Sequence, residues 1–259
     1  MLCLLFASSL LRAQQVKAFP EVDLPTLGSR AEAAFASNPS EAIPYMLEIQ
    51  GRLTNAMSEE FRAIYRENLY LLGLAHMRCY QLTKDTQQLS DAILFWDEFI
   101  QDFVSDARHP LAMMNRADCY FGTENWSAAV DAYMHILQIY SQQLESQELY
   151  ELLQHFVLAA GEASRHSDTV DVLGGFLDPR YSDQLRLFAL NTLFDRALEA
   201  DGLDALMRLV AEINRDRKFR YDLGINLRLL NTGDRFEEDE KYLEAGLLFA
   251  MVLPVEQLL

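Results

Sequence analysis

"NRADCYFGTENWSAAVDAYMHIL", residues 115–137, places small residues and rings at helical spacing and breaks the pattern once. Ala117 and Ala129 lie twelve residues apart, and each precedes a ring, Tyr120 and Tyr133. Just upstream, Pro110 suits the first turn of a helix, where its missing N–H is no loss. Met113, Ala117 and Tyr120 then share one face, because residues three and four apart are neighbours on a helix. Gly122-Thr123-Glu124-Asn125 is turn chemistry. Trp126, Ala129, Tyr133, Ile136 and Tyr140 share a face of a second helix. The spacing predicts a helix–turn–helix hairpin. Its small residues mark where the two helices approach most closely, since larger side chains would hold the backbones apart. The rings fill the gaps beside them.

The pattern recurs. Upstream, "SDAILFWDEFIQDF" sets Ala92, Trp96, Phe99 and Phe103 as Ala129, Tyr133, Ile136 and Tyr140 are set, at an offset of 37. Downstream, in "NTGDRFEEDEKYLEAGLLFAMVL", Gly233, Phe236, Tyr242, Ala245, Phe249 and Val252 match Ala117, Tyr120, Trp126, Ala129, Tyr133 and Ile136, all at an offset of 116. A fixed period of this kind is the mark of a repeat architecture.

With these residues the chain resembles the tetratricopeptide repeat family, whose repeat of about 34 residues is a pair of antiparallel helices. The family takes small residues where Ala117 and Ala129 stand and large rings where Tyr120 and Tyr133 stand. Two departures are visible. Val104 and Ser141 occupy the region where the family often has Pro, and the spacing of 37 to 39 is longer. Such lengthened repeats, with "FIQDF" ending one hairpin, are similar to those of Gram-negative envelope proteins. These include the outer-membrane assembly lipoprotein and Tol–Pal coordinator types. The resemblance is specific over residues 68–141 and 222–254. It implies an all-α, right-handed solenoid of about six hairpins over 68–259, preceded by a helical region with a degenerate repeat at 14–67.

The resemblance also implies a concave groove lined by the first helix of each hairpin. On one repeat it points to Leu111, Met114, Asp118 and Phe121. On the last it points to Leu227, Leu230, Asn231, Asp234 and Glu237. Such a mixed apolar and acidic groove suits a protein segment with apolar anchors and basic flanks. The basic clamp of chaperone-tail receptors is not assembled, although Asn115 and Asn231 stand where polar clamp residues occur.

Elsewhere helical periodicity continues without signature residues. "SRAEAAFASN" and "SEAIPYMLEIQGRL" read as a first hairpin capped by Ser29 and Ser40, with Pro44 in a first turn. "EEFRAIYRENLYLLGLAHMRCYQL" reads as one long helix. "ELYELLQHFVLAAGEASRH" pairs with "SDTVDVLGGFLD", where Val170, Leu173, Phe176 and Leu177 face inward, and Pro179 stops the helix. Gly174-Gly175 weakens it by roughly 1 kcal/mol per glycine. A further pair carries Leu203, Leu206, Val210 and Ile213 on one face. About a dozen helices and no strand are expected. The terminal "AGLLFAMVLPVEQLL" lacks the polar cap with which a solenoid ends. It suggests that the chain continues, that a partner covers this end, or that the protein self-associates through it.

Composition excludes some functions. The formal net charge is −17, and such a surface repels phosphate backbones and acidic membranes. The basic stretch "NRDRKFRYD", with Arg215, Arg217, Lys218 and Arg220, reads as a solvated loop. Leu2 to Leu11 is too short to span a bilayer. It resembles the apolar region of a secretory signal with cleavage after Ala13, although no Lys or Arg precedes it. Residues 1–13 are therefore read as an export signal and the protein as periplasmic or envelope-associated, with the cytoplasm as the alternative. Cys3 does not sit in a lipid-attachment motif. Cys79 and Cys119 fall at similar places in successive helices and read as small buried hydrophobes rather than a disulfide.

No chemistry-bearing motif emerges. His76, His109, His135, His155 and His166 include no pair spaced for a helical zinc site. There is no Gly-x-Ser-x-Gly elbow, no Cys-x-x-Cys, and no phosphate loop at Gly174-Gly175. "DRFEEDE" lacks the alternating ligands and Gly of a calcium loop. A non-catalytic scaffold with a protein partner, no cofactor and no metal is the expected function. Alternatives are the accessory region of a longer enzyme or a structural, oligomerising solenoid.

Overall fold

The computed structural model describes residues 19, 21–53, 58–197, 203–254 and 257. The stretch read as an export signal lies outside them. The described residues form thirteen helices and no strand. No helix among them is long and apolar enough to cross a membrane. The chain divides into two compact units, Met1–Tyr140 and Ser141–Leu259.

The first unit holds α1 (Leu24–Ser37), α2 (Pro39–Leu53), α3 (Glu59–Thr83), α4 (Thr86–Asp102), α5 (His109–Gly122) and α6 (Trp126–Tyr140), each packed on the next in the chain. Three helix starts are fixed by side chains that accept from orphan backbone N–H groups: Asp23 from Thr26, Ser58 from Phe61, and Asp85 from Gln87. Leu27, Met46, Leu69, Leu72, Trp96 and Phe99 form a continuous buried core. The second unit holds α7 (Ser146–Glu162), α8 (His166–Gly175), α9 (Asp183–Ala197), α10 (Leu203–Arg215), α11 (Arg217–Arg220), α12 (Leu223–Glu238) and α13 (Tyr242–Phe249). Here too helices pack chiefly on their chain neighbours, and α10 also touches α13.

The hairpin turns repeat in atomic detail. Lys84, Glu124, Ser164 and Glu240 have positive φ, between 56° and 61°. Each stands two residues before the second helix of its hairpin. In three of these turns the same backbone bonds recur. Asn125 N–H donates to Tyr120, Arg165 to Ala160 and Lys241 to Phe236, while Glu124 donates to Phe121, Ser164 to Gly161 and Glu240 to Glu237. That pair of bonds is the Schellman closure, which satisfies the last carbonyls of the first helix. The next helix then begins on the residue after it: Ala129, Thr169 and Ala245 donate to Asn125, Arg165 and Lys241. The α3–α4 turn uses the simpler left-handed cap, with Lys84 N–H on the Tyr80 carbonyl.

Inside the hairpins, small residues meet rings. Ala117, Ala129 and Tyr133 are fully buried. A Cβ on Gly73 would lie 2.5 Å from Trp96, and one on Gly233 would lie 2.6 Å from Phe249. Gly73 is twenty-three residues from its ring and Gly233 sixteen from its own. The difference is about one extra helical turn in each of α3 and α4. It explains why the second helices are related at 37 while the turns at Lys84 and Glu124 stand 40 apart.

Several local expectations change. α1 starts at Leu24 on Asp23, so Ser29 lies inside the helix and donates to the Pro25 carbonyl at 3.0 Å. α2 starts at Pro39, which puts Ser40 inside it and Pro44 beyond its first turn. Residue 68, read as the start of the clear repeats, falls within α3. The basic stretch expected to be a solvated loop contains the short helix α11, with Phe219 buried beneath it. Cys79 and Cys119 are buried and unbridged.

Gly73→Ala is expected to destabilise the protein by about 1–3 kcal/mol, because Trp96 is fully buried and cannot yield. Gly246→Ala in α13 meets nothing within 4 Å and should stabilise by about 1 kcal/mol. Urea unfolding of the two variants gives opposite signs if the hairpin packing is right.

Candidate functional site

An apolar concavity lies in the first unit, between α1 and α3 and floored by α2. It encloses about 580 Å³, within the usual range for ligand sites. α1 supplies Gly28, Ala31, Glu32 and Phe35, and α3 supplies Ile64, Glu67, Asn68 and Leu71. Both sets run i, i+3, i+4, i+7, which is one stripe along each helix. Met46 and Ile49 of α2 form the floor. From Gly28 to Phe35 the trough runs about 10 Å, the length of two helical turns.

Its walls are held from behind. Asn68 is buried and donates to the Met46 carbonyl at 2.8 Å and to Gln50 at 3.0 Å, which ties α3 to α2. Glu67 accepts from Arg108 at 2.8 Å. Arg108 also grips Asp106 and lies 4.5 Å from the Tyr70 ring centre. The Arg108 hydrogen bonds hold the Asp106 carboxyl below its usual pKa. At the far end Arg78 covers the Phe35 ring at 4.8 Å. Glu32 is exposed on the rim. The arrangement is an apolar floor with a charged edge.

The residues implied by the resemblance fall elsewhere. Leu111 is 47% exposed and suits an outward contact. Met114 and Phe121 are half-buried, and Phe121 packs edge-on against Trp126, with centroids 5.0 Å apart. Asp118 is not an open groove carboxylate, because Tyr133 donates its hydroxyl to it at 2.7 Å. Burial, then the Asp118 charge, pushes the Tyr133 phenol well above its ordinary pKa. The same two causes, in the same order, raise the Cys119 thiol to about 12. Both stay protonated at neutral pH, so this cluster is a packing device.

On α12 the outcome differs. Leu227, Leu230, Asn231, Asp234 and Glu237 are all exposed. Gly233, Phe236 and Ala245 are buried, as their places in the repeat require. Tyr242 is 66% exposed although it stands where Trp126 stands, because Glu237 replaces the covering ring of Phe121.

The basic stretch is largely paired. Lys218 meets Asp183 at 2.6 Å and Arg215 meets Glu212 at 2.9 Å, while Arg220 donates to the Met251 carbonyl. Its neighbour Asp216 meets the buried Arg186 at 2.5 Å. His76 is buried against Phe95, 2.9 Å from Gln88, and burial lowers its pKa. Among the described residues no group of three or more His, Cys, Asp or Glu is placed to hold a metal ion.

The sequence reading passed over the trough. Its signal was the paired i, i+3, i+4, i+7 stripes of α1 and α3, which lack the small-residue and ring signature of the later hairpins. No protein-family model matches the chain, and no curated protein matches it.

Asp118→Lys is expected to cost about 1–3 kcal/mol, since it strands the buried Tyr133 hydroxyl. Asp234→Lys, on an exposed face, should change stability by less than about 0.5 kcal/mol. Thermal unfolding that finds the two equal would remove the distinction between packing and surface carboxylates.

Proposed function

We propose that this protein is a non-catalytic scaffold that holds a segment of another protein, and that its hairpins stack as a right-handed solenoid of the tetratricopeptide type. The α1–α3 trough is the primary grip. We place the protein in the bacterial envelope on the character of residues 1–13. The observation that carries the binding role is the trough itself: two helices of successive hairpins present matching stripes over an apolar floor. Helix-in-groove recognition uses this geometry, with anchors at i, i+3, i+4 and i+7 of the guest. The identical turn closures at Glu124, Ser164 and Glu240 support the repeat architecture. The partner is a protein or peptide with apolar anchors, and no cofactor is required.

The trough can be blocked without disturbing the fold, because a Cβ on Gly28 meets nothing within 4 Å. A photo-reactive side chain at Ile64 should form a discrete adduct with another protein in native cells. The same probe at Lys84, in the α3–α4 turn, should not. Gly28→Trp should abolish the Ile64 adduct. Labelling that is equal at the two sites, or that survives Gly28→Trp, would contradict the assignment.

A further inference from the structure

The first unit carries another concavity, of about 290 Å³, on different faces of α2 and α3 from those that form the trough. Ile43, Pro44 and Leu47 of α2 give it an apolar wall. Its polar lining comes from His76 of α3 and from Asp85, Gln88 and Asp91 at the start of α4. His76 is only 5% exposed, and its Nδ1 lies 2.9 Å from the Gln88 Oε1. That oxygen can only accept, so Nδ1 carries the ring proton and Nε2 is left as a bare acceptor. Among the described residues Nε2 has no hydrogen-bond partner. Asp85 and Asp91 accept from Gln87, each at 3.0 Å, and among the described residues neither meets a lysine or arginine. Pro44 adds one more acceptor. Without an N–H it cannot close on the Ser40 carbonyl four residues back, and Ser40 borders the same concavity. The Ser40 and Thr83 hydroxyls, also in the lining, already donate to Asn38 and to the Cys79 carbonyl. The result is an apolar wall beside a cluster of acceptors that carries negative charge and no lysine or arginine.

We propose that this concavity binds a small organic amine in its protonated form, with the ammonium on Asp85, Asp91 and the His76 Nε2 and the hydrocarbon chain on Ile43, Pro44 and Leu47. An ammonium brings three donors and a positive charge, which is what an acceptor-lined, anionic site lacks. An anion would be repelled by the two carboxylates. An uncharged hydrocarbon would take water from them and return no hydrogen bond. A metal ion needs several ligands that converge, and among the described residues no group of three or more His, Cys, Asp or Glu is placed to hold one. The small volume suits a free amine, since ligand sites begin at about 300 Å³. The site shares no lining residue with the α1–α3 trough, so it stands whether or not the trough holds a protein.

The test titrates the isotope-labelled full chain with n-hexylamine and follows amide chemical shifts. Saturable shifts should centre on residues 83–91 and spare the trough. Ethylamine has the same charge on a shorter chain, and hexanol has the chain without the charge. Each should bind at least about tenfold more weakly. Nα-acetyl-lysine amide, which offers its ammonium as a protein side chain does, should also bind more weakly than hexylamine. This ligand series is read on the unaltered chain and needs no variant to fold. Asp85→Asn with Asp91→Asn should weaken hexylamine by at least about tenfold. Asparagine caps a helix as well as aspartate, so unchanged thermal unfolding serves as the folding control. Gly28→Trp should leave amine binding as it is, which separates this site from the trough. No saturable shift, equal binding of hexanol or ethylamine, or undiminished binding by the Asp85→Asn, Asp91→Asn chain would overturn the proposal. So would displacement of the amine by zinc ion alone, tighter binding of the lysine amide, or loss of binding in Gly28→Trp.

Discussion

The close approach of paired helices over a residue without a side chain sets the rest of the structure. Trp96 lies where a Cβ of Gly73 would be, and Phe249 lies where a Cβ of Gly233 would be. At such a contact the ring packs against backbone. Dispersion between densely packed atoms is collectively large, and any added methyl group must displace a buried ring. The crossing point therefore fixes how each hairpin closes. Between crossing and turn, the helices can lengthen together by whole turns, as α3 and α4 do.

The turns answer a second demand, the unsatisfied carbonyls at each helix end. A residue in the left-handed region closes them, and here Lys84, Glu124, Ser164 and Glu240 do so without glycine. Each carries a strain of order 1 kcal/mol, offset by the bonds it completes and by the packing on either side. Once hairpins of this kind follow one another, their first helices leave exposed stripes. α1 and α3 border a trough because α2 lies beneath both. α12 keeps an exposed stripe where Leu223, Leu227 and Leu230 face outward.

Much of this was legible in the residues. The helical class followed from apolar periodicity, and the α5–α6 hairpin from Ala117, Ala129 and their rings. The small residue at Gly233 and its ring at Phe249 were matched from the repeat alone. Gly73 was not recognised, because the extra turn in α3 and α4 shifted it out of register with Ala117. The turn at Ser164 was placed about two residues late, between His166 and Ser167, since neither Gly nor Asn marks the left-handed position itself. Among the site residues, Asp118 and Asp234 are indistinguishable by repeat position. Only the Tyr133 hydroxyl, which reaches Asp118 from the facing helix, separates a packing carboxylate from a surface one. Phe249 stands where Tyr133 does but has no hydroxyl, so Asp234 is left facing outward.

The binding role proposed above rests on helices that expose apolar stripes, and it stands only if the hairpins close as described. The most direct measurement is a double-mutant cycle between Gly73 and Trp96, read by urea unfolding. Gly73→Ala should destabilise the protein strongly when Trp96 is present. In a Trp96→Leu background, where the ring no longer fills the site, the same change should be neutral or stabilising, as expected for Gly→Ala in an open helix. An equal cost in both backgrounds would show that the ring does not rest on the Gly73 backbone and would contradict the hairpin geometry.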